Sequence, residues 1–165
     1  MTDDPRDWIA VAALPGLGPA SLKKLWEQGW TPCKLLRATE AEQLQLRLPN
    51  KTKTALTAFQ AGSGSLQQKI DSVVHWQALH ADASVLTYAS DDYPSLLKEI
   101  HDPPPILLVR GDPSQLVLPQ LAIVGSRHAS SGGLRQAHLF SKMLTQSGVL
   151  VTSGLALGID AAAHQ

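Results

Sequence analysis

Apolar residues in the first third of the chain recur at helical spacing and are interrupted by short helix-breaking segments. Residues 8–14 form an apolar run that stops at residues 15–19, Pro-Gly-Leu-Gly-Pro. A breaker of this composition ends one helix and begins the next. Leu22 and Leu25 then share one helical face until Gly29. The pattern therefore predicts two consecutive helices joined by a tight turn.

Capping residues mark the starts of the helices that follow. Thr31 before Pro32 puts a hydroxyl at the N-cap and proline at the first helical position. Thr39 and Glu42 have the spacing of a capping box, which predicts a short helix after Thr39. Two further helices are predicted, over residues 52–59 and, capped by Ser65 with Gln68, from there to His80.

The second half of the chain changes to short apolar runs of strand length. Such runs occupy residues 84–88, 106–109, 121–124 and 149–152, and helical patterns occupy 95–100 and 134–144. We expect the last three runs to be buried strands. Strand, glycine loop, helix and strand in succession predict one parallel βαβ unit with a right-handed crossover. An open parallel sheet normally has more strands, so we expect this one to be completed by residues beyond Gln165.

These elements together predict an α/β fold in three stretches. Residues 1–62 form a helical domain with a helix-hairpin-helix pattern, and residues 63–112 form a connecting helix and an extension. Residues 113–165 form the first βαβ unit of an incomplete, Rossmann-like parallel sheet.

Composition narrows the class of protein. The 165 residues include 14 Lys+Arg and 14 Asp+Glu, with 44% hydrophobic residues, which excludes collagen-like and acidic disordered chains. No apolar run is long enough to span a membrane, and the acidic start is unlike a signal peptide. The single cysteine, Cys33, cannot form an internal disulfide. We expect a cytoplasmic protein with no membrane contact.

Charge is unevenly distributed along this neutral chain. Residues 20–70 carry eight basic and three acidic residues, whereas residues 71–112 carry two basic and seven acidic residues. Residues 113–165 are again net basic, with three basic residues and one acid. This alternation indicates two modules, and the basic stretches are compatible with a polyanionic partner or with ordinary solvated helix faces.

Two glycine-bearing loops follow the strands of the predicted βαβ unit, where an α/β sheet places its ligand. The first begins with Gly125, Ser126, Arg127 and His128, and the second contains Ser153, Gly154 and Gly158. Glycine allows close backbone approach, helix N-termini present free N–H groups, and arginine suits phosphate. The loops therefore predict a phosphate site, unless the glycines only permit tight turns.

Several better-known sites are excluded by spacing. The first loop lacks the G-x-G-x-x-G pattern of dinucleotide sites, and no P-loop occurs. The histidines do not pair with Cys or Glu at metal-ligand spacing. Asp160, near a helix start, is interpreted as a structural residue, either an N-terminal cap or a partner of the helix dipole. We predict no cofactor, no metal site and no catalytic residues.

The turn between the first two helices is a second candidate site. Gly16 and Gly18 are followed by Lys23 and Lys24, an arrangement in which backbone amides and lysines can contact a DNA phosphate. The same hairpin also occurs as scaffold, and both interpretations stay open. Arg135, in the helix after the first loop, is a further DNA-contact candidate.

Five blocks of sequence, in order, resemble the DNA-processing protein A family (DprA, also called Smf). They are residues 92–100, 102–107, 109–112, 122–127 and 153–164, which include Val-Gly-Ser-Arg and Ser-Gly-Leu-Ala-Leu-Gly-Ile-Asp. Residues 8–60 resemble the family's N-terminal SAM-like helical domain more loosely. The resemblance implies a Rossmann-type domain that binds single-stranded DNA, a homodimer, and a role in loading RecA recombinase during natural transformation.

Two positions depart from the family pattern. Gly132 stands where members often have Tyr, and Leu157 where many have Arg or Lys, so a stacking surface and a cation are missing.

Two alternatives remain beside DNA binding. One is a nucleotide-processing enzyme like the nucleoside-monophosphate phosphoribohydrolases, for which Asp160 is the one acid in either loop. The other is a protein-interaction scaffold.

Overall fold

The computed structural model describes residues 4–165. The chain divides into two compact units, Met1–Pro113 and Ser114–Gln165, and each is described by itself. The first unit is mainly helical, and the second contains a parallel strand pair with helices. A helical N-terminal region followed by an incomplete parallel sheet confirms the predicted fold class.

In the part of unit 1 that the structure describes, from residue 4 onward, six helices precede the first strand. They are α1 (Pro5–Ala12), α2 (Pro19–Glu27), α3 (Pro32–Leu36), α4 (Glu40–Gln45), α5 (Asn50–Gln60) and α6 (Ser65–Leu79). Strand β1 (Ala83–Thr87), helix α7 (Ser95–Glu99) and strand β2 (Ile106–Arg110) follow, and a 3-10 helix spans Pro113–Val117.

The helix starts follow the predicted capping chemistry, with one exception. Thr31 Oγ1 accepts from Lys34 N–H, and Thr39 and Glu42 form the capping box. The hydrogen bonds from Thr39 lower the pKa of Glu42. The predicted Ser65 cap is wrong, because Gly64 is the N-cap residue of α6 and has no side chain to accept a hydrogen bond. Ser65 is already the first helical residue.

One continuous apolar core holds unit 1 together. Trp8 and Trp26 meet edge to face, with ring centroids 5.2 Å apart. Each fully buried aliphatic side chain contributes about 1.5–3 kcal/mol relative to exposure. The core residues are Ile9, Ala10, Val11, Leu14, Leu22, Leu25, Leu35, Leu36, Leu48, Leu56, Leu66 and Ile70. Leu66 and Ile70 belong to α6, so this core extends past residue 62. The predicted end of the helical domain at residue 62 stays a prediction.

The two strands of unit 1 form an antiparallel pair that covers one side of the core. Ala83 pairs with Arg110 and Thr87 with Ile106. The expectation that residues 106–109 form a buried strand is wrong, because no residue of β2 is fully buried and Leu108 is 50% exposed. Val85 and Ile106 pack against the core, and Leu86, on the opposite face of β1, is also buried.

Unit 2 contains the predicted parallel βαβ arrangement. Its elements are β3 (Gln120–Ala122), α8 (Ser131–Gln146), β4 (Leu150–Thr152) and α9 (Ile159–Ala163). Strands β3 and β4 are parallel, with Leu121 opposite Val151. The predicted buried run 121–124 is largely exposed, since Leu121 in β3 is 46% exposed and Val124, after the strand, is 73% exposed. Across residues 4–165, no helix combines the length and apolar character needed to cross a membrane.

Candidate functional site

The carboxyl ends of β3 and β4 bring the two glycine loops together. The strands are hydrogen-bonded neighbours running in the same direction, so the segments that follow them emerge at one edge. We call residues 123–130 the first loop and residues 153–158 the second loop. Ser130 Oγ accepts from Gly133 N–H and caps α8, which begins directly after the first loop.

Asp160 ties the two loops to each other. Its Oδ1 accepts from Gly125 N–H and its Oδ2 from Gly154 N–H, both at 3.2 Å. The residue is only 7% exposed. The expected role as an N-terminal cap is wrong, because Gly158 is the N-cap residue of α9, the helix has no side-chain cap, and both Asp160 oxygens bond outside it. Asp160 does lie in the first turn of α9, where a partner of the helix dipole is expected. The Gly125 and Gly154 amides predicted for phosphate are therefore engaged by the protein's own carboxylate.

Gly158 allows a second close contact between the loops. Its φ is +87°, and a Cβ there would lie 2.2 Å from Ser126 O and 2.8 Å from Arg127 O. The next residue, Ile159, donates its N–H to Ser126 O at 3.2 Å. Only glycine fits this left-handed, crowded position, so Gly158 serves loop packing.

Basic side chains surround a cavity beside these loops. The cavity has a volume of about 680 Å³ and is lined by Arg127, His128, Arg135 and His138, with Gly158 and Ala161 among its other walls. Within the described part of the chain, no acidic side chain lines it. The sequence motifs predict the first three of these side chains as site residues but not His138. Its position three residues after Arg135, one helical turn along α8, was the signal that could have revealed it.

The exposed Arg, Lys, Asp and Glu side chains of unit 2 are all basic. Arg135, His138 and Lys142 recur on one face of α8, and all three are exposed. Asp160 is the sole Asp or Glu in the sequence from 114 to 165, and it is buried. No acidic side chain of unit 2 is therefore presented to a polyanion.

The hydroxyl groups predicted for the site have other surroundings. Ser126 Oγ accepts from His128 N–H at 3.1 Å, which shapes the first loop. Ser153 Oγ is buried and has no hydrogen-bond partner among residues 4–165. Neither Ser126 nor Ser153 lines the basic cavity.

In unit 1 the structure separates the two lysines of the helical hairpin. Lys23 Nζ donates to Lys98 O and Ile100 O, at 3.0 and 3.1 Å, and so holds the end of α7. Lys24 is exposed and lines a groove of about 400 Å³ together with Arg47. Lys23 thus has a structural role, and Lys24 remains the DNA-contact candidate.

The glycines of the hairpin turn differ in their surroundings. Gly16, with φ +91°, lies beneath the side chain of Lys51, and a Cβ there would lie 2.5 Å from Lys51 Cε. A Cβ at Gly18 would meet nothing within 4 Å. Gly18 is the N-cap residue of α2 and has no side-chain cap.

Metal binding and ribose chemistry each depend on particular side chains. No group of three or more His, Cys, Asp or Glu that could hold a metal ion occurs in residues 4–165. The phosphoribohydrolase alternative requires a carboxylate against a ribose. Both Asp160 oxygens instead face backbone amides of the loops.

Comparison with known proteins locates the similarity. Residues 84–165 match the model of the family described as DNA recombination-mediator protein A. A Smf protein of Synechocystis sp. is 32% identical over 172 residues, covering 95% of this chain and 39% of the relative. The DprA protein of Bacillus subtilis is 34% identical over 82 residues, covering 49% of this chain and 28% of the relative. The chain thus spans about two fifths of the Synechocystis protein.

A solved structure shares the fold over nearly the whole chain. The DNA processing protein A of Streptococcus pneumoniae superimposes with a TM-score of 0.64 at 23% identity, covering 99% of this chain and 53% of that one. The shared fold therefore extends over both units described above. Together with the family match over β1 to α9, these similarities show that the chain belongs to the DNA recombination-mediator protein A family, whose members carry the names DprA and Smf.

Proposed function

We propose that this chain binds single-stranded DNA through the basic cavity of unit 2, as a binding protein rather than an enzyme. The observation that carries the proposal is the cavity lining of two arginines and two histidines without an acid. We assign the main phosphate contact to Arg127, because Gly158 packs against its backbone and holds it in place. Guanidinium groups match phosphate oxygens in a bidentate geometry.

The expected binding is electrostatic and tolerant of sequence. Phosphate contacts position a nucleic acid without reading its bases. Phe140 is the single aromatic residue of the sequence from 114 to 165 and does not line the cavity. Phe, Tyr and Trp rings are therefore not supplied at the cavity. The imidazoles of His128 and His138 and the guanidinium planes of Arg127 and Arg135 are left to stack on bases.

The family relationship supports a proposal about the function of the whole protein. We propose a role in recombination during natural transformation, with RecA recombinase as a partner and a homodimer as the assembled form. The family description as a recombination mediator supports this role. A cytoplasmic location follows from such partners. For the helical unit, exposed Lys24 beside Arg47 supports a secondary DNA contact.

The test compares Arg127→Ala with a matched control, Arg37→Ala. Arg37 is exposed in unit 1, outside the cavity. Binding of fluorescein-labelled oligothymidylate is followed by anisotropy from about 50 to 200 mM salt. Loss of one phosphate contact should lower the slope of log K against log salt by about 0.7, and weaken binding about tenfold at low salt. Arg37→Ala should change neither quantity.

Two outcomes would contradict the proposal. Equal affinities and slopes for Arg127→Ala and the parent chain would remove the cavity from DNA binding. Release of free base from nucleoside monophosphates would instead support the phosphoribohydrolase alternative. A non-thymidine oligonucleotide of equal length serves as the check on sequence tolerance, with affinity expected to stay within a few-fold.

A further inference from the structure

We propose that Asp160 is a positioning residue that holds Arg127 in the geometry needed to bind phosphate. The inference rests on the proposed function and assigns a role to a residue that does not itself contact the ligand. Asp160 does not line the basic cavity, whereas Arg127 does. It acts on the loop that carries Arg127 through Gly125, two residues earlier.

Three hydrogen bonds and one close packing contact join the two loops around Asp160. The carboxylate accepts from Gly125 N–H in the first loop and from Gly154 N–H in the second. Ile159, its neighbour in sequence, donates to Ser126 O. Gly158 lies directly against Ser126 O and Arg127 O. The segment 158–160 thus fixes the backbone immediately before and at Arg127.

The chemistry of Asp160 fits this role better than a direct one. A buried carboxylate must have its lone pairs satisfied, and each oxygen accepts one backbone amide. It occupies the amide cradle at the strand ends that a phosphate would otherwise use. A bound phosphate is therefore left to the side chains of Arg127, Arg135, His128 and His138.

The variant Asp160→Asn separates positioning from simple electrostatics. Asparagine keeps the size but offers one oxygen and one NH₂ group, so it cannot accept from both amides. Removing the negative charge of Asp160 would reduce its electrostatic repulsion of the phosphate, and this effect alone would tighten DNA binding. Positioning predicts the opposite. If the competent loop population falls to a tenth, the apparent Kd for oligothymidylate rises about tenfold.

The salt dependence adds a second readout. Asp160→Asn removes no phosphate-contacting cation, so the slope of log K against log salt should stay unchanged while affinity falls. In an Arg127→Ala background the Asp160→Asn effect should disappear, because both act through the same side chain. Asp91→Asn, which neutralises an exposed carboxylate of unit 1, is the matched control and should not weaken binding.

Amide hydrogen exchange keeps the outcomes distinguishable. In Asp160→Asn the Gly125 and Gly154 amides should exchange faster, while the Ile123 amide, bonded to Thr152 O, stays protected. Unchanged or tighter binding by the variant overturns the positioning role. Loss of Ile123 protection also overturns it, since Asp160 would then serve the fold of the whole unit. Failure of the parent chain to bind, or of Arg127→Ala to matter, overturns the proposed function instead.

Discussion

Gly158→Ala is the substitution whose cost follows most directly from the structure. The residue has φ +87° and ψ −128°, a region that side chains rarely adopt, and this strain costs about 1–3 kcal/mol. The new Cβ would lie 2.2 Å from Ser126 O, a backbone atom that cannot rotate away. Separation of the loops would also break the hydrogen bond from Ile159 N–H to Ser126 O, worth about 1 kcal/mol. The expected loss is roughly 2–4 kcal/mol.

The assay must report on unit 2 alone. All four tryptophans, at positions 8, 26, 30 and 76, belong to unit 1, so their fluorescence follows that unit. Amide hydrogen exchange follows residues 114–165. We expect Gly158→Ala to reduce protection in unit 2 by roughly 30- to 1,000-fold, as 2–4 kcal/mol implies. The tryptophan-detected urea transition should stay where it is.

Gly148→Ala is the matched control. Gly148 also has a positive φ, +78°, but a Cβ there would meet nothing within 4 Å. Its substitution should cost only the backbone strain, about 1 kcal/mol. Equal losses of protection in the two variants would refute the reasoning that contact with Ser126 O makes Gly158 necessary.

Two further substitutions test contacts in unit 1, both by urea unfolding with tryptophan fluorescence. Burial raises the pKa of Tyr93 to about 12 from 10.0, so its contribution to stability is complete below pH 10 and is lost as the pH rises towards 12. Tyr93→Phe removes the hydroxyl bonded to Pro104 O. It should lower the free energy of unfolding by about 1 kcal/mol at pH 7 and flatten the alkaline decline; an unaltered decline would contradict this. Lys23→Met keeps the aliphatic stem but removes the bonds to Lys98 O and Ile100 O. It should cost about 1–2 kcal/mol and leave oligothymidylate binding unchanged; weaker binding at unchanged stability would return Lys23 to the DNA-contact candidates.

The sequence predicts the helix caps and the parallel strand pair correctly because the interacting residues lie close together along the chain. The capping box of Thr39 and Glu42 spans three residues, and the Thr31 cap also acts within one turn. The parallel pairing of β3 and β4 followed from strand-length runs separated by one helix. In each case a single element, or one crossover, fixes the result.

The predictions that differed depend on partners that spacing cannot reveal. Asp160 bonds Gly125 across 35 residues, so a helix-start position suggested a cap where the structure has a bridge. Lys23 finds its acceptors 75 and 77 residues away. The apolar run of β2 predicts a buried strand. Its burial depends on which elements pack against it, and Leu108 is left half exposed.

The position of Asp160 changes where a phosphate is expected on this fold. Glycine loops at the ends of parallel strands usually present free amides to an anion, but here the Gly125 and Gly154 amides face a carboxylate. A phosphate placed among these amides would find them already bonded and would be repelled by the Asp160 carboxylate. The side chains of Arg127 and Arg135, on the neighbouring cavity, meet no such opposition. Binding that depends on side-chain cations should therefore respond to salt more strongly than to the identity of the bases.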